Sequence, residues 1–264
     1  ILRYPTAKVS SYAVTGTLDT AANTAYPIAN TAYYKLNGNA NDSSGNGYNG
    51  TATSVTYAAG RFGQAAVFNG SSSYVALPTG QFNYSNFTIS SWVYPTAATS
   101  SGGQIMSTYM YTSGPSKGWI FRINSNMTLN FQSYYDDSGN RVDSNTTQTV
   151  PLNTWTQLSV RFSQTEGNVI VYINGVAVKT TTFSGNVLRY ETNNNTSIGA
   201  LDYSSTTPLE GQFIGKIDQL RIFNSAISAA NVTSLYNEGT VVESTDGTDS
   251  ILQFIGGSGD ITFS

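Results

Sequence analysis

Short runs in which apolar and polar residues alternate, each closed by a cluster of Gly, Asn, Pro or Ser, recur along this chain and restrict it to sheet structure. In the segment Trp155–Phe162, Leu158, Val160 and Phe162 fall on one side, and Gln157, Ser159 and Arg161 on the other. Trp119, Phe121 and Ile123 alternate in the same way with Arg122. Each such strand has one face to bury, and two antiparallel sheets packed face to face bury many single faces at once. Further strands are predicted at 65–68, 74–77, 87–94, 104–110, 119–124, 129–135, 155–162, 169–174, 176–182, 197–200 and 211–223. Asn174-Gly175, between two of these runs, is the pair favoured in a two-residue hairpin turn. One helix is predicted, at 228–238: Ser228 suits its first turn, Val232, Leu235 and Tyr236 share a face, and Gly239 suits its stop.

Composition excludes several classes of function. The chain has 264 residues, 39% of them hydrophobic, enough for one sizeable core. It has no cysteine and no histidine, which removes disulfides, thiolate metal sites, the commonest zinc ligand and the commonest general base. The net charge is -3, so no basic field is present to hold nucleic acid. No stretch approaches the length of apolar sequence that a membrane helix needs. The first residues, ILRYPTAKVSSYAV, lack the basic-then-apolar layout of a signal peptide, and the start at Ile1 leaves an upstream segment open.

Five phrases in order carry a family resemblance: YYKLNGNANDSSGNGYNG from Tyr33, GRFGQAAVFNGSSSYVAL from Gly60, WTQLSVRF from Trp155, VIVYINGV from Val169 and GKIDQLRIFNSAISAANVTSLYNEG from Gly215. Together they resemble the LamG-like, concanavalin A-type domain. The resemblance implies an all-β, two-sheet antiparallel jelly-roll sandwich with one short helix near the C-terminal end of the domain. Three parts are expected: an extended arm over 1–31, the jelly roll over 32–240, and a linker with a C-terminal β-hairpin over 241–264.

Asp218 is the first candidate site residue. In KIDQLRIF a strict period of two places it with Leu220 and Ile222, so its carboxylate is expected on an apolar face where an unpaired charge is costly. Backbone amides, a Lys or Arg, or a metal ion would each compensate it. The resemblance adds that such domains often hold one calcium ion, with Asp218 in the Asp of the family's ID phrase. Asp42, in the oxygen-rich loop NANDSSGNG, is its expected partner, and Asn41 and Asn69 are secondary metal candidates that also suit turns. The cluster DDSGN at 136–140 reads as a hairpin turn rather than an ion site. Tyr109, Tyr111, Tyr134, Tyr190 and Tyr203 are read as loop tyrosines able to stack on sugar rings.

Catalysis has no candidate residues. Glycan hydrolysis needs two carboxylates flanking the scissile bond, and Glu166, Glu191, Glu210, Glu238 and Glu243 are scattered through predicted loops and the helix. The expected function is that of a non-enzymatic virion structural or adhesion protein, a phage capsid decoration or fibre component, with glycan binding. The phrases DSSGNGYNGTAT and SILQFIGGSGDITF resemble those of LamG-containing structural proteins from phages of aquatic bacteria. The other reading is a bacterial secreted or cell-surface carbohydrate-binding module. The apolar C-terminal segment is expected to join other virion subunits or further copies of the chain, giving a homo-oligomer.

Overall fold

The computed structural model describes residues 26–109, 116–135, 140–190, 195–201 and 210–238 in full, and the backbone of strands at 2–5, 12–15, 240–245, 249–255 and 260–263. The DDSGN residues 136–139, and Tyr111, Glu191, Tyr203 and Gly239, lie outside the described residues.

In chain order the strands are β1 (Leu2–Pro5), β2 (Tyr12–Thr15), β3 (Ala32–Tyr34), β4 (Thr51–Thr53), β5 (Thr56–Ala59), β6 (Gln64–Asn69), β7 (Tyr74–Leu77) and β8 (Asn86–Pro95). They continue with β9 (Gly103–Ser107), β10 (Gly118–Ile123), β11 (Thr128–Tyr134), β12 (Arg141–Thr149), β13 (Thr156–Ser163), β14 (Asn168–Ile173), β15 (Val176–Thr182) and β16 (Thr196–Ile198). After β17 (Ile214–Phe223) come helix α1 (Ala229–Asn237), β18 (Thr240–Thr245), β19 (Asp249–Ile255) and β20 (Asp260–Phe263). Two antiparallel sheets form the sandwich. One runs β12-β11-β10-β9-β16-β7-β4, and the other runs β15-β14-β13-β8-β17-β6-β5 with β3 paired to β17.

The alternation seen in sequence sets the core. Phe87 of β8 stacks on Phe162 of β13 at 5.2 Å and reaches across to Trp119 of β10, also at 5.2 Å. Phe131 of β11 closes on the same ring at 6.0 Å. The predicted turn is present at Asn174 and Gly175, with φ of 51° and 74°, the double positive pair that matches strand twist in a two-residue hairpin. Asn is among the non-glycine residues that tolerate that region, and here its Oδ1 accepts from the Gln157 amide of the neighbouring β13 at 3.0 Å.

Helix α1 begins where expected. The Ser228 hydroxyl accepts from the Asn231 amide at 3.2 Å, and Val232 and Leu235 are buried against Tyr172, Phe223 and Ile227 on the outer face of the eight-stranded sheet. Burial of those two side chains contributes about 1.5–3 kcal/mol each.

The C-terminal hairpin forms one strand earlier than the Gly-rich turn suggested, between β18 and β19 rather than β19 and β20. β19 is paired on both edges, to β18 and to β1, so it has no edge left for β20, which pairs with β2 instead. The segment read as a linker contains β18, whose Thr240, Val241 and Val242 are β-branched and suit a strand. Both ends of the chain therefore meet in two small sheets.

A fully buried ion pair ties α1 to the sandwich. Arg221 of β17 grips Glu238 with two parallel bonds, Nη1 to Oε2 at 2.5 Å and Nη2 to Oε1 at 2.7 Å, and lies 4.2 Å over the Tyr33 ring. Removing one partner strands the other charge in the interior. Arg221→Met is expected to cost about 3–5 kcal/mol in urea unfolding, whereas Arg221→Met combined with Glu238→Leu should recover most of that loss. A double variant as unstable as the single one would show that the pair itself, rather than the stranded charge, sets the cost.

Candidate functional site

Asp218 is fully buried, but not on the face that a strict period of two assigns it. The ladder between β17 and β8 shifts register between Asp218 and Arg221, and Gln219 in the gap has a φ of 52°. This bulge adds one residue, so Ile217, Leu220 and Ile222 all point into the core while Asp218 turns outward, directly opposite Trp92. There its Oδ2 accepts from the backbone amides of Arg61 (2.8 Å) and Phe62 (2.9 Å). The first of the three alternatives, backbone amides, is the compensation observed. Burial pushes the carboxyl up to about 7 from its ordinary 3.8, against the opposing pull of those two amides.

Asp42 has its own donors. Its Oδ1 accepts from the amides of Tyr33 (2.9 Å) and Ser44 (2.8 Å), and its Oδ2 from the Tyr48 amide (3.0 Å) and the Ser44 hydroxyl (2.8 Å). Asn41 is exposed, with its amide bonded to Asn39. The Asn69 carbonyl accepts from the amides of Ser71, Ser72 and Ser73 and organises the NGSSS turn. Donors occupy both oxygens of Asp42, in its loop, and Oδ2 of Asp218, in β17, while Asp218 Oδ1 is buried without a hydrogen-bond partner. Among the described residues no group of three or more His, Cys, Asp or Glu side chains clusters as a metal site.

Chemistry gathers instead on the outer face of the seven-stranded sheet. Because Trp119, Phe121, Ile123, Leu129 and Phe131 face the core, the intervening positions face out. Cross-strand pairing aligns them in rows: Gln104, Arg122, Asn130 and Asn145; then Ser107, Ile120, Gln132 and Asp143; then Tyr134 and Arg141. Asp143 is the hub. It accepts from Asn130 (2.6 Å), Asn145 (2.7 Å) and Gln132 (3.0 Å), and pairs with Arg141 at 3.4 Å. Arg122 Nε donates to Asn130 Oδ1 at 3.3 Å, and the Tyr134 hydroxyl to Gln132 at 3.0 Å. The buried Gln104 Oε1 has no partner.

Beside Arg122 the surface dips into a cavity of about 390 Å³ lined by Ser100, Ser101, Arg122, Asn124, Ser125 and Asn126. That volume lies within the range of small-ligand sites. A second gap, between Pro95, Met127 and Phe213, measures about 10 Å³, room for no more than a water.

The tyrosines divide. Tyr134 lies in β11 rather than a loop, and its ring packs 5.0 Å from that of Tyr109 in a buried cluster with Ile120 and Leu201. Tyr190 is held inward, its hydroxyl donating to the Tyr84 carbonyl at 2.9 Å, and burial pushes that hydroxyl up. Sequence reasoning placed Arg122 on an outward face but missed its row, because β12 was not recognised. RVDSNTTQT buries one apolar side chain, Val142, and so carries almost no hydrophobic period.

Residues 69–233 match the Laminin G 3 family model, described as the concanavalin A-like lectin/glucanases superfamily. Among solved structures the chain is similar to domain 4 of AbnA, a GH43 extracellular arabinanase from Geobacillus stearothermophilus, in complex with arabinotriose. The two are 27% identical with a TM-score of 0.62, over 78% of this chain and 98% of that one. It shares its fold with the binding domain of Paraclostridial Mosquitocidal Protein 1 (20% identity, TM-score 0.60, over 75% of this chain). The same holds for the botulinum neurotoxin serotype G binding domain (18%, 0.59, over 78%). The chain spans 49% and 50% of those two binding domains. Comparison with curated proteins finds no match.

Asp218 makes stability depend on pH with a definite sign. Between about pH 4 and 7 the folded protein holds a proton that the unfolded chain has released, so this contribution is complete at low pH and lost as pH rises through about 7. In urea unfolding, the stability of wild type relative to Asp218→Asn should fall across that window and level off above it. A difference that stays flat would sink the assignment. Chelator should leave the melting midpoint of both proteins unchanged.

Proposed function

We propose, from the premise that the chain belongs to the concanavalin A-like lectin/glucanases superfamily, that it is a non-catalytic glycan-recognition domain. The observation that carries this reading is the hydrogen-bonding face of β10, β11 and β12 with its adjoining cavity. Sugars present hydroxyls that both donate and accept, and this face offers amides, guanidinium groups and a carboxylate in fixed rows. The arabinotriose complex of the 27% identical arabinanase domain supports the same class of ligand.

A binding rather than hydrolytic role fits the acids. Glu238 and Glu166 are held by Arg221 and Arg161, Asp42 and Asp218 hold backbone amides, and Asp143 is enclosed by its own donors. None of these is poised as a proton donor across a cleft from a second carboxylate.

The setting is the finer part of the reading. A virion adhesion protein and a bacterial surface module would use this face alike. Stoichiometric copurification with intact particles assigns the first, and recovery with the cell envelope or culture medium assigns the second. The two-stranded sheet of β2 and β20 supports self-association, since two strands alone are marginal in water and gain from a covering copy.

Arg141 and Asn145 are exposed members of the face. Arg141→Ala with Asn145→Ala should weaken binding to a cognate oligosaccharide at least tenfold, while shifting unfolding stability by no more than about 0.5 kcal/mol per surface site. Arabinotriose belongs in the first ligand panel. Unchanged affinity in the double variant would move the site elsewhere. Deleting 240–264 should leave a folded sandwich that sediments as a monomer, and an unfolded product would instead make those strands part of its core.

A further inference from the structure

We propose that the cavity beside Arg122 selects acidic sugars, receiving the carboxylate of a uronic-acid-type residue. This rests on the glycan-binding reading and names its ligand class. Arg122 is the one charged residue among the six that line the cavity; the other five supply neutral hydroxyls and amides. Its Nε is committed to Asn130 Oδ1, and it has no ion-pair partner among the described residues. Arg141, Arg161 and Arg221, by contrast, each have a carboxylate.

The guanidinium is also oriented. Asn130 donates Nδ2 to Asp143, which accepts only, so its Oδ1 must face Arg122. With Nε anchored, the two Nη groups form the planar fork that matches a carboxylate with two parallel bonds, and such charge-assisted pairs are roughly twice as strong as neutral ones.

The flanking amides are fixed by the same logic. Asn126 Oδ1 accepts from the Thr128 amide and hydroxyl, which leaves its Nδ2 as a donor for ligand. Asn145 gives Nδ2 to Asp143, so its Oδ1 accepts from Asn124 Nδ2, which also donates to the Thr128 hydroxyl. That leaves the Asn124 carbonyl as an acceptor. One donor and one acceptor beside a cationic fork suit a sugar ring carrying hydroxyls next to a carboxylate. A single arginine without lysines is poor provision for a polyphosphate backbone, and the chain's net charge of -3 adds to that discrimination.

The test is calorimetric titration of the full chain with trigalacturonic acid, its neutral methyl ester, a neutral trisaccharide and a sulfated trisaccharide. The acid should bind at least tenfold more tightly than its ester, and the preference should weaken as salt rises. Arg122→Gln should abolish the preference with an unchanged melting midpoint, and Arg122→Lys should retain only part of it, because charge survives and the fork does not. Equal affinity for acid and ester, or a preference unaltered in Arg122→Gln, overturns this inference while glycan binding stands. A preference for the sulfated sugar overturns the carboxylate assignment. Absence of binding to every glycan in a broad panel overturns the glycan reading itself.

Discussion

The stack of Phe87, Phe162, Trp119 and Phe131 across the two sheets is the contact on which the rest of the structure depends. Aromatic rings bury the most surface per residue, and this group joins β8 and β13 of one sheet to β10 and β11 of the other. Once Trp119, Phe121 and Phe131 are committed inward, the pleat leaves Arg122, Asn130 and Gln132 no direction but outward. A one-residue slip would exchange the two sets and bury a guanidinium in the core. The outward placement of these polar residues is thus a by-product of core packing.

The two outer faces are treated differently. On the eight-stranded sheet, α1 lays Val232 and Leu235 over Tyr172 and Phe223, and Phe62 and Trp92 pack together beside the buried Asp218. Arg61 covers both rings at 4.8 Å. These side chains cover the middle of that face, while β15 at its edge stays largely exposed. The seven-stranded sheet has no helix among the described residues. Its outward side chains bond to one another in rows, which the buried Asn130 and Gln132 anchor from beneath, and Arg122, Arg141, Asp143 and Asn145 are the members that reach the surface.

Much of this was legible in sequence and some was not, for identifiable reasons. Strands at Tyr74–Leu77 and Val176–Thr182 and the Asn174-Gly175 hairpin joining β14 to β15 follow from period and turn chemistry alone. Helix α1 follows from Ser228 and the spacing of Val232 and Leu235. Asp218 could be singled out as a buried carboxylate, yet its face could not, because the bulge at Gln219 breaks the period on which the assignment rests. A positive φ at glutamine has no sequence signature comparable to Asn-Gly. Strand β12 escaped notice because Ser144 and Thr146 replace apolar residues on its inner face; Ser144 instead accepts from the Thr181 hydroxyl of β15 at 2.9 Å, closing the side of the sandwich. Missing that strand hid Asp143, and without Asp143 the rows around Arg122 have no centre.

The hub explains how a face of small amides can discriminate. An isolated Asn presents donor and acceptor interchangeably, since its two ends can swap by a half-turn. Asp143 accepts only, so each amide that touches it must offer nitrogen, and the constraint passes outward through Asn130 to Arg122 and through Asn145 to Asn124. A single carboxylate therefore orders the amides linked to it, Asn130, Asn145 and Asn124. Asn or Ala at position 143 would keep the strand but release that order, and affinity would then carry the entropy of reorienting several amides at each binding event. On the proposed glycan-binding reading, specificity would be set at a residue that need not touch the ligand.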